Sequence, residues 1–449
     1  MSTRTFVSSD ETSVLPRDLD RKYPLMVRGE GVWLFDGEGR AHLDAVGGGA
    51  MVTSLGYGVT SIMDAADAQA RELAYVYNQQ FSNPRQEELA TRLLGHAPGM
   101  DRVHFVTGGS EADEMAIRLA RHYHVDRGQP SRHLLISPAQ AYHGVTAGSL
   151  AITGRPSFVA PYGPYRTPQL HVPPCNWRAN DPDGAQALAV MRQLIEQAGP
   201  ENVSAFIAEP FSGSALPAYS PPEGFWRGVD ELRQEFGFLV ILDEVVTGMG
   251  RTGTWFATEQ LPLQPDIITT AKCLGAGYTA IGAVMCTNGI YEGLGGGSRR
   301  FELGHTWDGA PLPCAVALAV IDELERTQII EHVRERGPRL RADLEAALSD
   351  CEMVREVRGA GYLLGIDYVD PRDGASFIDP ALKVFRRIDE EALSNELLLY
   401  STQATRDGYT GDQTLLSPAY VSSESELAQI VDRTAATVRG VEKWLKSQY

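Results

Sequence analysis

Lysine is scarce in this chain. Lys22, Lys272, Lys383, Lys443 and Lys446 are the only five among 449 residues, and four of them sit in the polar leader or on amphipathic stretches, where a lysine is ordinarily a solvated charge. Lys272 has different surroundings: Asp266-Ile-Ile-Thr-Thr-Ala precedes it and Cys-Leu-Gly-Ala-Gly follows, a buried-strand pattern and then a flexible loop nearly free of charge. An ammonium in such a place is poorly hydrated, its pKa falls, and the free amine becomes a nucleophile toward a carbonyl. A lysine at a strand end reaching out to water satisfies the same segment, so Lys272 alone leaves both readings open.

Asp243 tilts that balance. Phe238-Leu-Val-Ile-Leu-Asp243-Glu244 sets two acids at the carboxyl end of an apolar strand, the edge of an open α/β sheet at which ligands bind. A buried carboxylate needs a positive partner, and the protonated nitrogen of a pyridine ring supplies one; the pairing keeps such a ring able to accept electrons from a carbanion. A metal-binding Asp-Glu of Walker-B type is the rival reading. It requires a G-x-x-x-x-G-K-[ST] loop upstream, which this sequence lacks. A third piece, Gly108-Gly109-Ser110-Glu111, stands between a strand at 103–106 and a helix expected from about Ala112 to Tyr123. Glycines there let backbone N–H groups face an anion, the helix dipole favours a phosphate, and the Ser110 hydroxyl adds a donor; taken alone the turn is an ordinary N-cap. Tyr142-His143-Gly144 follows the next strand and brings an aromatic face to the same edge, suited to stacking on a planar ring or to plain core packing.

Short β-branched or apolar runs at 103–106, 134–137, 205–208, 238–242, 266–270 and 281–286 alternate with helical stretches, the pattern of a mostly parallel α/β sheet flanked by helices. Ahead of them, 31–35 and 40–43 flank Asp36-Gly-Glu-Gly39 and read as a small β-hairpin. Beyond about Thr306 come long amphipathic stretches, with Leu340, Leu344, Ala347 and Leu348 on one helical face, two short strands at 353–357 and 362–366, and a last helix opened by Ser423-x-x-Glu426. A chain of this length with 43% hydrophobic content exceeds one core. The expected division is a large domain at 61–319 and a smaller α+β domain built from 1–60 and 320–449.

Composition removes several classes of partner. A formal net charge of −18 argues against nucleic acid, whose readers carry a basic surface. The five cysteines are scattered without C-x-x-C spacing, so neither a disulfide framework nor a metal site is expected, and a reducing compartment fits. The polar start lacks the apolar core of a secretion signal, and no apolar run approaches the ~20 residues a membrane crossing needs. The expectation is a cytoplasmic protein with no membrane partner.

Together these segments resemble the class III aminotransferases of PLP fold type I, from about Gly31 to the C-terminus. The likeness rests on Leu242-Asp-Glu-Val-Val-Thr-Gly-Met-Gly-Arg-Thr-Gly253, then Pro265-Asp266 and Ala271-Lys272, which resemble the family signature in order and in acid-to-lysine spacing. The resemblance implies pyridoxal 5′-phosphate (PLP) held as a Schiff base on Lys272, which would also carry a proton between the substrate Cα and the cofactor. It implies Asp243 against the pyridinium nitrogen, Val245 beneath the ring opposite Tyr142, with His143 beside them, and Gly109 and Ser110 on the phosphate. Glu209 would support the hydroxyl side of the ring. Thr306 in Gly304-His305-Thr306 resembles the threonine that reaches the phosphate of the neighbouring subunit, which implies a homodimer with shared sites; further pairing into tetramers stays open.

The implied reaction is ping-pong transfer of an amino group from an amine or ω-amino acid to a keto acid such as pyruvate or 2-oxoglutarate. Met51, Tyr57, Phe81 and Trp177 take substrate-pocket places in the resemblance, each equally readable as core, and Arg406 is either a bidentate clamp for a substrate carboxylate or a solvated arginine. Ala280, Cys273 and Trp307-Asp308 stand where relatives more often carry proline, glycine and Tyr-Ser. These departures remove no chemical group but reshape the mouth of the site, so no particular substrate transfers with the family. An aminomutase or decarboxylase would use the same fold and cofactor. A nucleotide-binding module would need G-x-G-x-x-G, a spacing that Gly108-Gly109-Ser110 does not supply.

Overall fold

A computed structural model describes residues 6–175, 180–403 and 411–449. Its central sheet has seven strands: β1 (Arg102–Val106), β2 (Leu134–Pro138), β3 (Leu170–Val172), β4 (Val203–Ala208), β5 (Leu239–Asp243), β6 (Ile267–Thr270) and β7 (Gly282–Cys286). They lie in the order β1-β7-β6-β5-β4-β2-β3. Only β7 runs against its neighbours β6 and β1; the other pairings are parallel. Every residue of β4, β5, β6 and β7 is buried, as near-continuous apolar strands must be when helices cover both faces.

On one face, helix α1 (Gly109–Asp126) lays Ala112, Ala116, Leu119 and Ala120 on the sheet. On the other, α2 (Glu223–Phe236) contributes Phe225, Trp226, Val229 and Leu232. The expected mostly parallel α/β architecture is therefore present. Strand β3 escaped the sequence reading because Leu-His-Val is too short to show a period. Helix α1 begins three residues earlier than expected, with Gly108 as its N-cap, so Gly109 and Ser110 belong to its first turn.

The chain ends build two four-stranded sheets and a short antiparallel pair of Phe6–Val7 with Tyr23–Pro24. Met26–Glu30, Trp33–Asp36 and Ala41–Asp44 form an antiparallel meander, and Leu397–Leu398 joins its edge parallel to Ala41–Asp44. The expected hairpin is the centre of this meander; Asp36 ties its turn by accepting from the N–H groups of Glu38 and Arg40. Val354–Ala360, Leu363–Tyr368, Gln413–Leu416 and Tyr400–Thr402 make the second antiparallel sheet. The last helix, α3 (Glu424–Lys446), opens on the reciprocal Ser423 and Glu426 cap, which satisfies two otherwise orphaned donors. Among the described residues no helix is long and apolar enough to cross a membrane.

Candidate active site

Strands β4, β5 and β6 deliver their carboxyl ends to one cavity of about 270 Å³. Glu209 follows β4, Asp243 ends β5, and Lys272 lies two residues past β6; the first turn of α1 forms the wall beside them. This is the sheet edge that a parallel architecture leaves open for ligands. Thr107, Gly108, Gly109 and Ser110 line the cavity, where the unpaired N–H groups of a helix start attract an anion. Gly109 is needed for space: a Cβ there would stand 2.8 Å from Val245 Cγ1. Gly144 is needed for both space and backbone, since its φ is +122° and a Cβ would meet Ser110 Oγ at 2.5 Å.

Lys272 has a φ of +40°, a left-handed conformation that costs a lysine energy and persists only when its surroundings enforce it. The enforcement is a tight turn in which the N–H groups of Gly275 and Ala276 both donate to its carbonyl. Among the described residues its Nζ has no hydrogen-bond partner. Burial lowers its pKa, partly opposed by the negative charge of Asp243 and Glu209, so the neutral amine is more accessible than on a surface lysine.

Asp243 is held on two sides. His143 Nδ1 lies 2.8 Å from its Oδ2, and the Val245 N–H donates to its Oδ1 at 3.0 Å. Burial pushes the Asp243 pKa up, yet the His143 contact and the other hydrogen bonds outweigh it and hold the group below its ordinary value. Glu209, by contrast, is pushed up to about 7 by burial and by Asp243, while accepting from the N–H groups of Tyr142 and Gly213. The donors around Asp243 thus favour its charged form, while burial and Asp243 disfavour the charge on Glu209.

The sequence reading missed Asp113. It lies on α1, almost fully buried, and accepts from Thr269 Oγ1 at 2.7 Å. Asp113, His143 and Asp243 each bring one ligand atom to within 4.8 Å of the others. By donor type such a set suits a cation, but the Thr269 and His143 contacts account for its geometry without one. The signal was in the sequence: an acid among Ala112, Ala116 and Ala120, on the helix face that packs against the sheet. Val52, Thr279 and Ile281 also line the cavity and carry no chemical mark that a sequence could show.

Of the expected cofactor contacts, Gly109, Ser110, Tyr142, His143, Glu209, Asp243, Val245 and Lys272 all line this cavity. Thr306 does not: it is exposed, and its carbonyl accepts from Tyr75 Oη at 2.9 Å. The substrate candidates disperse. Met51 is buried against Val246, Leu363 and Leu415, Tyr57 gives its hydroxyl to Asp44 at 2.9 Å, and Phe81 is 58% exposed. None of the three lines this cavity: Met51 ends the turn at Gly47–Met51, the Tyr57 hydroxyl is taken by Asp44 at the end of the meander, and Phe81 sits on an outer surface. Trp177 and Arg406 lie outside the described residues. Ala280 lines the cavity, whereas Cys273 faces Arg251 and Tyr420 on the far side.

Comparison with known proteins gives this arrangement its class. The chain is an aminotransferase and belongs to the class-III aminotransferase family, whose model matches residues 16–432. It is 39% identical over 357 residues to a probable aminotransferase of Mycobacterium tuberculosis, covering 78% of this chain and 76% of that one. A putrescine–pyruvate aminotransferase of Pseudomonas aeruginosa is 32% identical over 433 residues, 92% of this chain and 91% of the relative. Among solved structures, the omega transaminase of Pseudomonas jessenii in complex with PMP superposes with a TM-score of 0.89 at 26% identity, over 97% of each chain. Class-III aminotransferases are PLP-dependent enzymes.

Proposed function

We propose that this chain binds PLP in the cavity at the ends of β4, β5 and β6 and moves an amino group from an amine or amino acid to a keto acid such as pyruvate or 2-oxoglutarate, in two half-reactions. The observation that carries the reading is one cavity lined by Lys272, by the buried Asp243 held 2.8 Å from His143 Nδ1, and by the first turn of α1. The residues fit the group. Gly109 and Ser110, in the first turn of α1, would hold the phosphate, Asp243 would hold the ring nitrogen protonated, and Tyr142 and Val245 would bound the two faces of the ring. When bound, the cofactor supplies an electron sink for the bond broken at the substrate Cα. Lys272 Nζ would take a proton at that carbon and return it, a role suited to an amine whose pKa has been drawn down. Glu209 holds the Tyr142 backbone and braces Gly213.

The same reading makes 61–319 the cofactor-holding domain, and the pairing of Leu397–Leu398 with Ala41–Asp44 supports a smaller domain made from both chain ends. Thr306, exposed and away from its own cavity, supports a homodimer in which it serves the neighbouring site. Five free, buried cysteines suit a reducing, cytoplasmic setting.

A half-reaction screen tests the activity. Holoenzyme mixed with single amines or amino acids is expected to lose its visible cofactor band stoichiometrically and to regain it with a keto acid. Turnover of a donor without that exchange would favour an aminomutase or decarboxylase instead.

A further inference from the structure

Two carboxyl groups, Asp113 and Asp243, line the cavity with oxygens within 4.8 Å of each other, and of the two Asp243 is the one with a donor at each oxygen. Asp243 receives His143 Nδ1 at 2.8 Å and the Val245 N–H at 3.0 Å. Asp113 receives the Thr269 hydroxyl on Oδ1 at 2.7 Å, and one of its oxygens stands with a ligand atom of His143 and of Asp243 in a cluster within 4.8 Å. Both acids are at most 3% exposed. Two like charges at such range in a dry site cannot both persist, so one acid keeps its proton. The donors point to which: each Asp243 oxygen receives one, whereas Asp113 receives the Thr269 hydroxyl on Oδ1. Asp243 on β5 lies opposite Thr269 on β6, and that threonine reaches Asp113 on α1, so the register of the sheet brings the two acids together.

We infer that Asp113 is a positioning residue for the aminotransferase site: a neutral carboxylic acid that accepts from Thr269 and donates its proton to the Asp243 carboxylate. The inference rests on the proposed role of Asp243 toward the cofactor ring and deepens it. Asp243 then has two side-chain donors, His143 and Asp113, which fixes the carboxylate's rotation and leaves the pair of acids a single negative charge. The titratable groups around Asp113 are Asp243 on β5, Glu209 after β4, His143 after β2 and Lys272 after β6. Burial first and Asp243 second drive the Asp113 pKa well above the ordinary carboxyl value, which agrees with the geometry.

The structure makes an unusual forecast for the conservative variant. In Asp113→Asn the amide oxygen accepts from Thr269 and one amide N–H donates to Asp243, reproducing the acceptor and the donor of the neutral acid. Asp113→Ala has no donor and leaves Asp243 with one hydrogen bond fewer. Three readouts on both variants decide the matter. In the infrared, the wild-type minus Asp113→Asn difference should show the carbonyl stretch of a protonated carboxylic acid, with and without PLP; this arm reads Asp113 directly even if the chain takes up no PLP. By equilibrium titration, Asp113→Asn should bind PLP within about threefold of wild type and Asp113→Ala about 10- to 100-fold more weakly, the usual range for one hydrogen bond to a buried charge. The pH dependence of the cofactor absorbance should be unchanged in Asp113→Asn and displaced in Asp113→Ala. A carboxylate rather than a carboxylic acid band, or Asp113→Asn as damaging as Asp113→Ala, would overturn the proposal. So would stoichiometric divalent metal in the purified wild type that Asp113→Asn loses.

Discussion

Asp243 and Glu244 are adjacent acids, both fully or nearly buried, and they serve opposite ends. Asp243 faces the cavity, where His143 and the Val245 N–H keep it ionised against the cost of burial. Glu244, pointing to the other side, accepts from Thr247 Oγ1 at 2.7 Å and from the N–H groups of Ala257 and Thr258 at 2.7 and 2.6 Å. Burial pushes its pKa to about 7 despite those donors. Side chains at successive positions leaving a strand alternate in direction, so one residue is available to a ligand while its neighbour ties down the loop that follows β5. An acidic pair in a sequence is therefore two separate proposals, and the donors around each acid distinguish them.

Substitutions on the cavity side should separate from those on the loop side. The largest effect belongs to Lys272→Ala, which removes the amine itself: single-turnover amino transfer should fall roughly 10²- to 10⁴-fold, the range for losing a positioned general acid or base. Next is Asp243→Asn, which leaves the cofactor nitrogen without its charge partner; kcat should fall roughly 10²- to 10³-fold, as when one member of a buried pair is removed, with the melting temperature changed far less. Gly109→Ala drives a methyl into Val245 at the phosphate end, and overpacking of this kind should weaken PLP binding about tenfold by equilibrium titration.

Glu244→Gln should change kcat least, within about twofold, while lowering unfolding free energy by about 1–3 kcal/mol through imperfect pairing with two backbone donors. Its pH signature has a definite sign. The folded-state pKa of Glu244, about 7 against an ordinary 4.5, means that its protonated form contributes stability fully below 4.5, and this is lost as pH rises through 7. The difference in denaturation midpoint between wild type and Glu244→Gln should therefore shrink from pH 5 to pH 8. A difference that grows over that interval would place a firm carboxylate at Glu244 and erase the contrast with Asp243.

Much of the cavity was legible because its chemistry is written in residue types that are costly to bury. Lys272 stood out by scarcity and by its uncharged surroundings, Asp243 by its place at a strand end, and Gly109 and Ser110 by their place between strand and helix. The parallel sheet was legible because apolar strands recur between helical stretches. Illegible parts had physical reasons. Strand β3 has three residues, and Leu397–Leu398 has two, too few for a period. Asp113 shares the buried helix face of Ala112, Ala116 and Ala120, a mark the sequence carries, but its partners emerge only when the register of β5 against β6 brings Thr269 and Asp243 around it. Tyr57 turns its hydroxyl to Asp44 and Phe81 lies on an outer surface, because tertiary contacts and not residue type set where an aromatic side chain lies.

Borohydride reduction of the holoenzyme followed by peptide mass mapping tests the central claim most directly. The account predicts a single reduced PLP adduct on the peptide carrying Lys272, absent from Lys272→Ala. An adduct on Lys22, Lys383, Lys443 or Lys446 instead, or none on any lysine of protein shown to contain bound PLP, would contradict it.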